Sequence, residues 1–523
     1  MTIKIYYYHM KLRNFTKKGA SVILVVFLAF STYAQETKET WRQTAEELLE
    51  TYLSVSIDPY RGITKEEWDR RAEIFLDKVD SANNRKELYY ALRYFGALGN
   101  DGHFNFPDMG VYNRHKIFQK DDRLFPLIIK ATQDDRVFVM RDFSGLIPDH
   151  AELLEVNGID VAELSRKQHE LMPYEPNYTY AYMNEKEEPD FRAWVSFANY
   201  LFCENIQGPF EIKFVIDGEV KMVTINAMER HTLHKMSKSM RNNKLPFFGK
   251  FMKYTQHNDS IAVLDIDWFW GKNPFMSPIR GDKRFERVLK KMMKRVNRDE
   301  IEHLVVDIRS NPGGYANNVY VLMSYFAPDM VYDDKSIHRI SAAAKEDERG
   351  ARILDAAIKM IYGKSNEGLQ KQTIDLYKSM PEGALFKEDT LMSMAYSPEK
   401  PKYPYQGKVY VLTNSSSFSA STMFCNYFRK SGVGLIVGES PAGYSIVTGG
   451  PSIPIRNELA KFMPMRVPHS HSNPLDEKGY HYIIPDIPIE NDFNSWINGD
   501  DSRLSQLLKM IEQHDGQNRG DHR

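Results

Sequence analysis

The stretch Leu304-Val-Val-Asp-Ile-Arg-Ser-Asn-Pro-Gly-Gly314 constrains this chain most. A short apolar run of this kind makes a buried strand, and it breaks into a Pro-Gly-Gly turn that can aim backbone N–H groups at one point. Such a turn is how an oxyanion hole is made. About a hundred residues later a second strand, Val409-Tyr-Val-Leu-Thr413, runs into a Ser-rich turn from Asn414 to Ser417 and then an apolar helix opening near Ser419. That spacing puts a hydroxyl at a helix N-terminus, a position that favours a nucleophile. Together the two segments read as a serine-hydrolase site.

At 523 residues the chain is too long for one core, and two to four domains are expected. Its first 34 residues hold five Lys/Arg and no acid, so the remainder carries 64 basic against 70 acidic residues, about −6. That balance argues against nucleic acid as a partner. Lys11 to Lys18 is basic, Ala20 to Phe30 is apolar, and Thr32-Tyr33-Ala34 precedes Gln35-Glu36. The pattern predicts a signal peptide over residues 1–34, cleaved after Ala34, and export to a periplasmic or extracellular location. The apolar stretch falls short of the roughly 20 residues of a spanning helix, so no stable membrane span is expected after cleavage. Cys203 and Cys425 stand alone and read as core thiols rather than a disulfide framework.

Residues 35–120 read as a helical N-terminal domain, with Leu88, Ala91, Leu92 and Phe95 at helix spacing. Residues 121–228 change to short β-like runs around turns such as Asn157-Gly158 and Asp217-Gly218, a β-rich module. Residues 229–257 are polar and basic and read as a linker. Residues 258–523 alternate strands and helices as an α/β core, interrupted by a helix-prone insertion at about 334–403. His469, His471 and His481 lack the spacing of known metal sites and read as solvated histidines, so no metal and no cofactor is expected.

Four blocks, Asp101-Gly-His103, Asp307 to Gly314, Ser419-Ala-Ser421 with Gly438-Glu439 and Gly443, and Ile484-Pro-Asp-Ile-Pro-Ile489, resemble the tail-specific, or C-terminal processing, serine peptidases. The resemblance spans roughly residues 85–490. It implies a crotonase-like α/β core, a PDZ-like identity for the β-rich module, and Ser419 as nucleophile. In the branch with a Ser-Lys dyad a lysine follows the glycine after the Gly-Glu turn, whereas here Tyr444 follows Gly443. Tyrosine, with an ordinary pKa near 10, is a poor base at neutral pH. The chain is closer to the tricorn-like branch, whose histidine and glutamate correspond to His103 and Glu477; Asp476 and Asp101 compete with Glu477 to orient the ring. That branch usually has a serine before the histidine, and here it is Gly102.

The expected oxyanion donors are the N–H groups of Gly314 and Ala420. Each assignment has a plain structural competitor: Ser419 as a helix N-cap, Gly313-Gly314 as a tight turn, His103 as a helix-end histidine, Glu477 as a surface carboxylate. The expected function is an exported serine endopeptidase acting on a peptide or protein substrate through an acyl-enzyme. The alternative is a catalytically inactive peptide- or small-ligand-binding protein on the same fold. Substrate preference and oligomeric state are not encoded in any readable motif.

Overall fold

The structure is a computed structural model that describes residues 38–104, 119–131, 135–171, 175, 191–240, 251–270, 283–333, 335–346, 375–387, 395–396, 398–473, 481–490 and 500–520. The expected leader over residues 1–34 lies outside them. No helix among the described residues is long and apolar enough to cross a membrane.

Three helices open the described chain: α1 Lys38–Val55, α2 Lys65–Ser81 and α3 Arg85–Ala97. Thr64 and Asn84 cap the second and third, their side-chain oxygens accepting from the amide of Glu67 and from those of Lys86 and Glu87. Leu88, Ala91, Leu92 and Phe95 are all buried, as their spacing predicts. Their core, however, is not theirs alone. It continues into Ile453, Ile455, Leu459, Met463, Met465 and Val467, some 350 residues away in sequence. The helical unit therefore packs as one body with a distant hairpin rather than as a free-standing domain.

A five-strand antiparallel path follows: β1 Leu127–Ala131, β2 Val137–Asp142, β3 Glu152–Val156, β4 Phe210–Ile216 and β5 Glu219–Ile225, neighbours in that order. Asp217 and Gly218, joining β4 to β5, both adopt positive φ (53° and 78°), the requirement of a two-residue hairpin turn of type I′. Helices α4 Val161–His169 and α5 Phe191–Cys203 close its core through Val161, Leu164, Phe197 and Leu201.

The segment 229–257 is more than a linker. It contains helix α6 Arg230–Met240 and strand β6 Met252–Gln256, which pairs antiparallel with the first central strand, β7 Ile261–Ile266. Its alternating polar residues hid an edge strand, since an edge needs one apolar face only. The central sheet runs β15-β12-β11-β8-β7-β6, where β8 is His303–Asp307, β11 Lys408–Thr413, β12 Gly434–Gly438 and β15 Ile487–Pro488. All its pairings except β6 with β7 are parallel. Helices α7 Lys283–Arg298, α8 Ala316–Met323 and α9 Ala420–Ser431 pack on one face through Phe285, Leu289, Val319 and Phe424. Helix α11 Ser502–Gly520 covers the other through Leu507, Leu508 and Ile511. The expected α/β class is the one observed.

Within the insertion the described residues hold a short helix, Ala342–Glu346, and two strands, β9 Lys335–Arg339 and β10 Leu385–Lys387, joined to β13 Val447–Pro454 and β14 Arg466–Asn473 in the order β10-β9-β14-β13. Residues 347–374, where helix-forming composition is densest, lie outside the described chain. A short helix, α10 Glu458–Phe462, links β13 to β14 and packs on α1.

Because Met463 is fully buried in the core shared by the helical unit and this hairpin, Met463→Ala should cost about 2–5 kcal/mol. Urea unfolding followed by circular dichroism checks this, and a loss below about 0.5 kcal/mol would contradict a shared core.

Candidate active site

The turn after β8 is fixed by buried polar groups. Arg309, almost wholly inaccessible, forks onto Asp307 through Nη2 (2.7 Å) and onto Asp501 through Nη1 and Nη2 (2.7 and 2.6 Å). Two carboxylates on one guanidinium satisfy a charge that would be costly to bury alone. Asn311, also buried, accepts from the Gly313 amide (2.9 Å) and donates to the Ile266 carbonyl (2.9 Å). Its own carbonyl accepts from the Phe418 amide and the Ser421 hydroxyl, both at 2.9 Å, which ties this turn to the one after β11. Ser421, the second serine of Ser-Ala-Ser, is thus a structural tie.

Gly313 has φ +97°, and a Cβ there would lie 2.7 Å from Ser419 Cβ and 2.8 Å from Ala420 N. Only glycine permits so close an approach. Among the described residues no acceptor meets the N–H of Gly314 or of Ala420.

Ser419 sits at φ 58°, ψ −114°, a backbone conformation that non-glycine residues avoid, immediately before α9. It occupies the N-cap position, yet its side chain makes no capping hydrogen bond. Instead Oγ lies 2.9 Å from His103 Nε2. His103 follows α3, its amide bonded to Asp101 Oδ1 (2.9 Å) and its ring packed on Phe418 at 4.6 Å. A Cβ on Gly102 would lie 2.8 Å from Phe418 Cζ, so the aromatic ring fills the space a serine would need. The other ring nitrogen, Nδ1, is 3.0 Å from Thr448 Oγ1, and Thr448 donates to Asp101 Oδ1 at 2.8 Å. Glu477 and Asp476 lie outside the described residues.

Behind His103 is a buried pair, Arg61 Nε to Glu175 Oε2 at 2.8 Å, with Arg61 Nη2 also on the Ile446 carbonyl at 2.6 Å. Burial pushes the Glu175 carboxyl up to about 7, opposed by Arg61 and reinforced by Asp101. Asp101 behaves oppositely: burial raises it, but the neighbouring His103, whose amide donates to it, and the charge of Arg61 leave it below the ordinary carboxylate value. Tyr444, at the dyad-lysine position, lies with Arg61 5.1 Å from its ring centroid and stacks on Tyr482 at 4.8 Å. Burial, then its hydrogen bond with Tyr482, drives the Tyr444 phenol upward, so it keeps its proton near neutral pH.

Ligating atoms of Asp101, His103 and Glu175 converge within 4.8 Å of one another, a donor set that can hold a divalent cation. Both His103 nitrogens are already engaged with hydroxyls and Glu175 is already paired with Arg61. A cation would have to break these bonds, so the set fits a hydrogen-bonded site better than a metal site. Against expectation, His469 is buried on β14, its ring 5.4 Å from that of His338.

Ser419, His103 and both glycines, singled out by sequence reading, come together in the structure. It missed Thr448, Arg61 and Glu175, which lie outside any motif, and the tying role of Asn311, which the Asn-Pro-Gly-Gly block contained.

Residues 260–489 match the model of Peptidase family S41. The match spans less than half of the 523-residue chain and makes this stretch similar to an S41 peptidase domain. That match covers the strands and turns holding Gly314 and Ser419, while His103 and Asp101 precede it. Among solved structures, mature CPAF is 15% identical with a TM-score of 0.60, the match covering 91% of this chain and 97% of that one. Mature CPAF complexed with lactacystin is also 15% identical, with TM-score 0.57 and coverage of 91% and 98%. At that identity the likeness is one of fold, and it extends through the helical unit and the β-rich module. No curated protein matches the chain.

The raised Glu175 carboxyl predicts a pH effect. An acid whose folded pKa lies above its unfolded value of 4.5 contributes stability that is complete below 4.5 and is lost as pH rises through about 7. Glu175→Gln should therefore flatten the decline of stability across that window, which can reach about 1.4 kcal/mol per pH unit for one proton. Thermal unfolding of both proteins from pH 4.5 to 7.5 tests it, and parallel curves would refute the assignment.

Proposed function

We propose that this chain is an exported serine endopeptidase that cleaves peptides or unfolded proteins through an acyl-enzyme. One observation carries the reading: the Ser419 hydroxyl, on a strained turn at a helix N-terminus, is 2.9 Å from an imidazole supplied from 316 residues away. A capping serine would use its oxygen on its own helix, and a helix-end histidine would not be aimed at it.

Ser419 Oγ attacks the scissile carbonyl carbon while His103 Nε2 takes its proton. The carbonyl oxygen becomes an oxyanion that the Gly314 and Ala420 amides hold. His103 returns the proton to the leaving amine as the C–N bond breaks, leaving an ester on Ser419. Water, deprotonated by His103, then releases the acid and restores the hydroxyl. Tyr444 takes no proton in this scheme. In the tricorn-like branch a glutamate orients the ring, and Glu477, Asp476 and Asp101 compete for that role here.

The β-rich module, an antiparallel sheet with two helices, is assigned a PDZ-like role, taking an extended peptide by strand addition. Export rests on the basic, apolar and small-residue order of residues 11–34.

A fluorophosphonate should label the purified protein at Ser419, and Ser419→Ala should abolish labelling and peptide hydrolysis. His103→Ala should lower the labelling rate by about 10²–10⁴, whereas Tyr444→Phe should retain most activity. Equal labelling in Ser419→Ala would overturn the mechanism and favour a ligand-binding protein on this fold.

A further inference from the structure

We infer that Thr448 is a positioning residue of the active site: its hydroxyl bridges His103 to Asp101 and sets which imidazole nitrogen faces Ser419. The inference rests on the serine-peptidase reading above and adds a component to it.

The geometry leaves the hydroxyl little choice. Thr448 Oγ1 is 2.8 Å from Asp101 Oδ1, and an ionised carboxylate only accepts, so the threonine proton goes there. The oxygen keeps lone pairs, and His103 Nδ1 lies 3.0 Å from it. That nitrogen must therefore donate. A neutral imidazole protonated at Nδ1 has a bare Nε2, the form that accepts the Ser419 proton across 2.9 Å. Asp101 cannot do this directly, because its Oδ1 is 3.7 Å from Nδ1, beyond hydrogen-bond reach. The intervening hydroxyl closes the gap.

Charge assigns the carboxylate as well. Around His103 stand Asp101 and Glu175 as acids and Arg61 as the fixed cation, with Tyr444 over the guanidinium and His471 opposite Thr448 in the sheet. Glu175 is matched by Arg61 at 2.8 Å. Among the described residues Asp101 is the charge left to balance the imidazolium that forms during acyl transfer, and Thr448 is the route by which the two are linked. Thr448 and Asp101 are both buried, so water does not compete for these bonds. Gly102 explains why the hydroxyl comes from elsewhere: Phe418 occupies the space a side chain there would need.

The arrangement is tested on the full chain by the rate at which a fluorophosphonate labels Ser419. Thr448→Val keeps the shape and loses the hydroxyl; Thr448→Ser keeps the hydroxyl and loses a methyl group. A bridging role predicts that Thr448→Val slows labelling by between about 10- and 10³-fold while Thr448→Ser stays within about threefold of the parent, with both variants folded by circular dichroism. A packing role predicts the reverse order. Asp101→Asn should fall in the same range as Thr448→Val, and the double variant should be little worse than the poorer single one, because the two act as a unit. Labelling of Thr448→Val at the parent rate, or multiplicative losses in the double variant, would overturn the inference and leave Ser419 and His103 standing. If the parent protein is not labelled, the peptidase reading falls and this inference with it.

Discussion

The parallel pairing of β8 with β11 is the constraint on which the site depends. Asp307 lies opposite Leu412, and the Ile308 amide extends the ladder to the Leu412 carbonyl. Both strands therefore end at the same level, and both turns leave the sheet side by side. Asn311 converts that coincidence into a joint by serving its own turn with its side chain and the Phe418 and Ser421 groups with its carbonyl. A slip of one residue would turn every strand side chain to the opposite face and part the two turns. The strained backbone of Ser419 is held by this joint and by the helix that follows it.

Around the hydroxyl pair, charge is arranged so that each buried ion has a partner. Arg61 draws on Glu175 and the Ile446 carbonyl, Arg309 on Asp307 and Asp501, and Asp101 on Thr448 and the His103 amide. Burial makes such groups expensive when alone and directional when paired. Arg309 further pins the turn after β8 to the start of α11, and Glu439, bonded to the Ser415 amide, joins Arg503 of the same helix. The C-terminal helix thereby clamps the turns after β8 and β11 from the outer face of the sheet.

Much of this was legible in the sequence, and the reason is local. Leu304 to Val306 and Val409 to Leu412 are apolar runs whose burial needs no knowledge of neighbours, and Gly313 and Ser419 sit where a strand breaks. Asp217-Gly218 specifies its own hairpin by backbone preference. What escaped reading depends on distant encounters. Thr448 resembles any strand threonine until Asp101 and His103 come to it, and Arg61 resembles any helix-flanking arginine until Glu175 meets it. In the insertion the Ala-rich stretch Ala342–Glu346 follows its local helix preference, while Lys335–Arg339 is recruited as a strand by β14 and Leu385–Lys387 by β9 in turn. The polar alternation of Met252 to Gln256 likewise suits a sheet edge as well as a linker.

The span between His103 and Ser419 has a consequence for timing. A growing chain completes its imidazole first and its alcohol more than three hundred residues later, and the hairpin that seats the helical unit comes later still. Until residues near 470 have emerged and folded back, the three helices lack the apolar floor formed by Met463, Met465 and Val467. A chain still being made thus lacks the contact between imidazole and alcohol by connectivity alone.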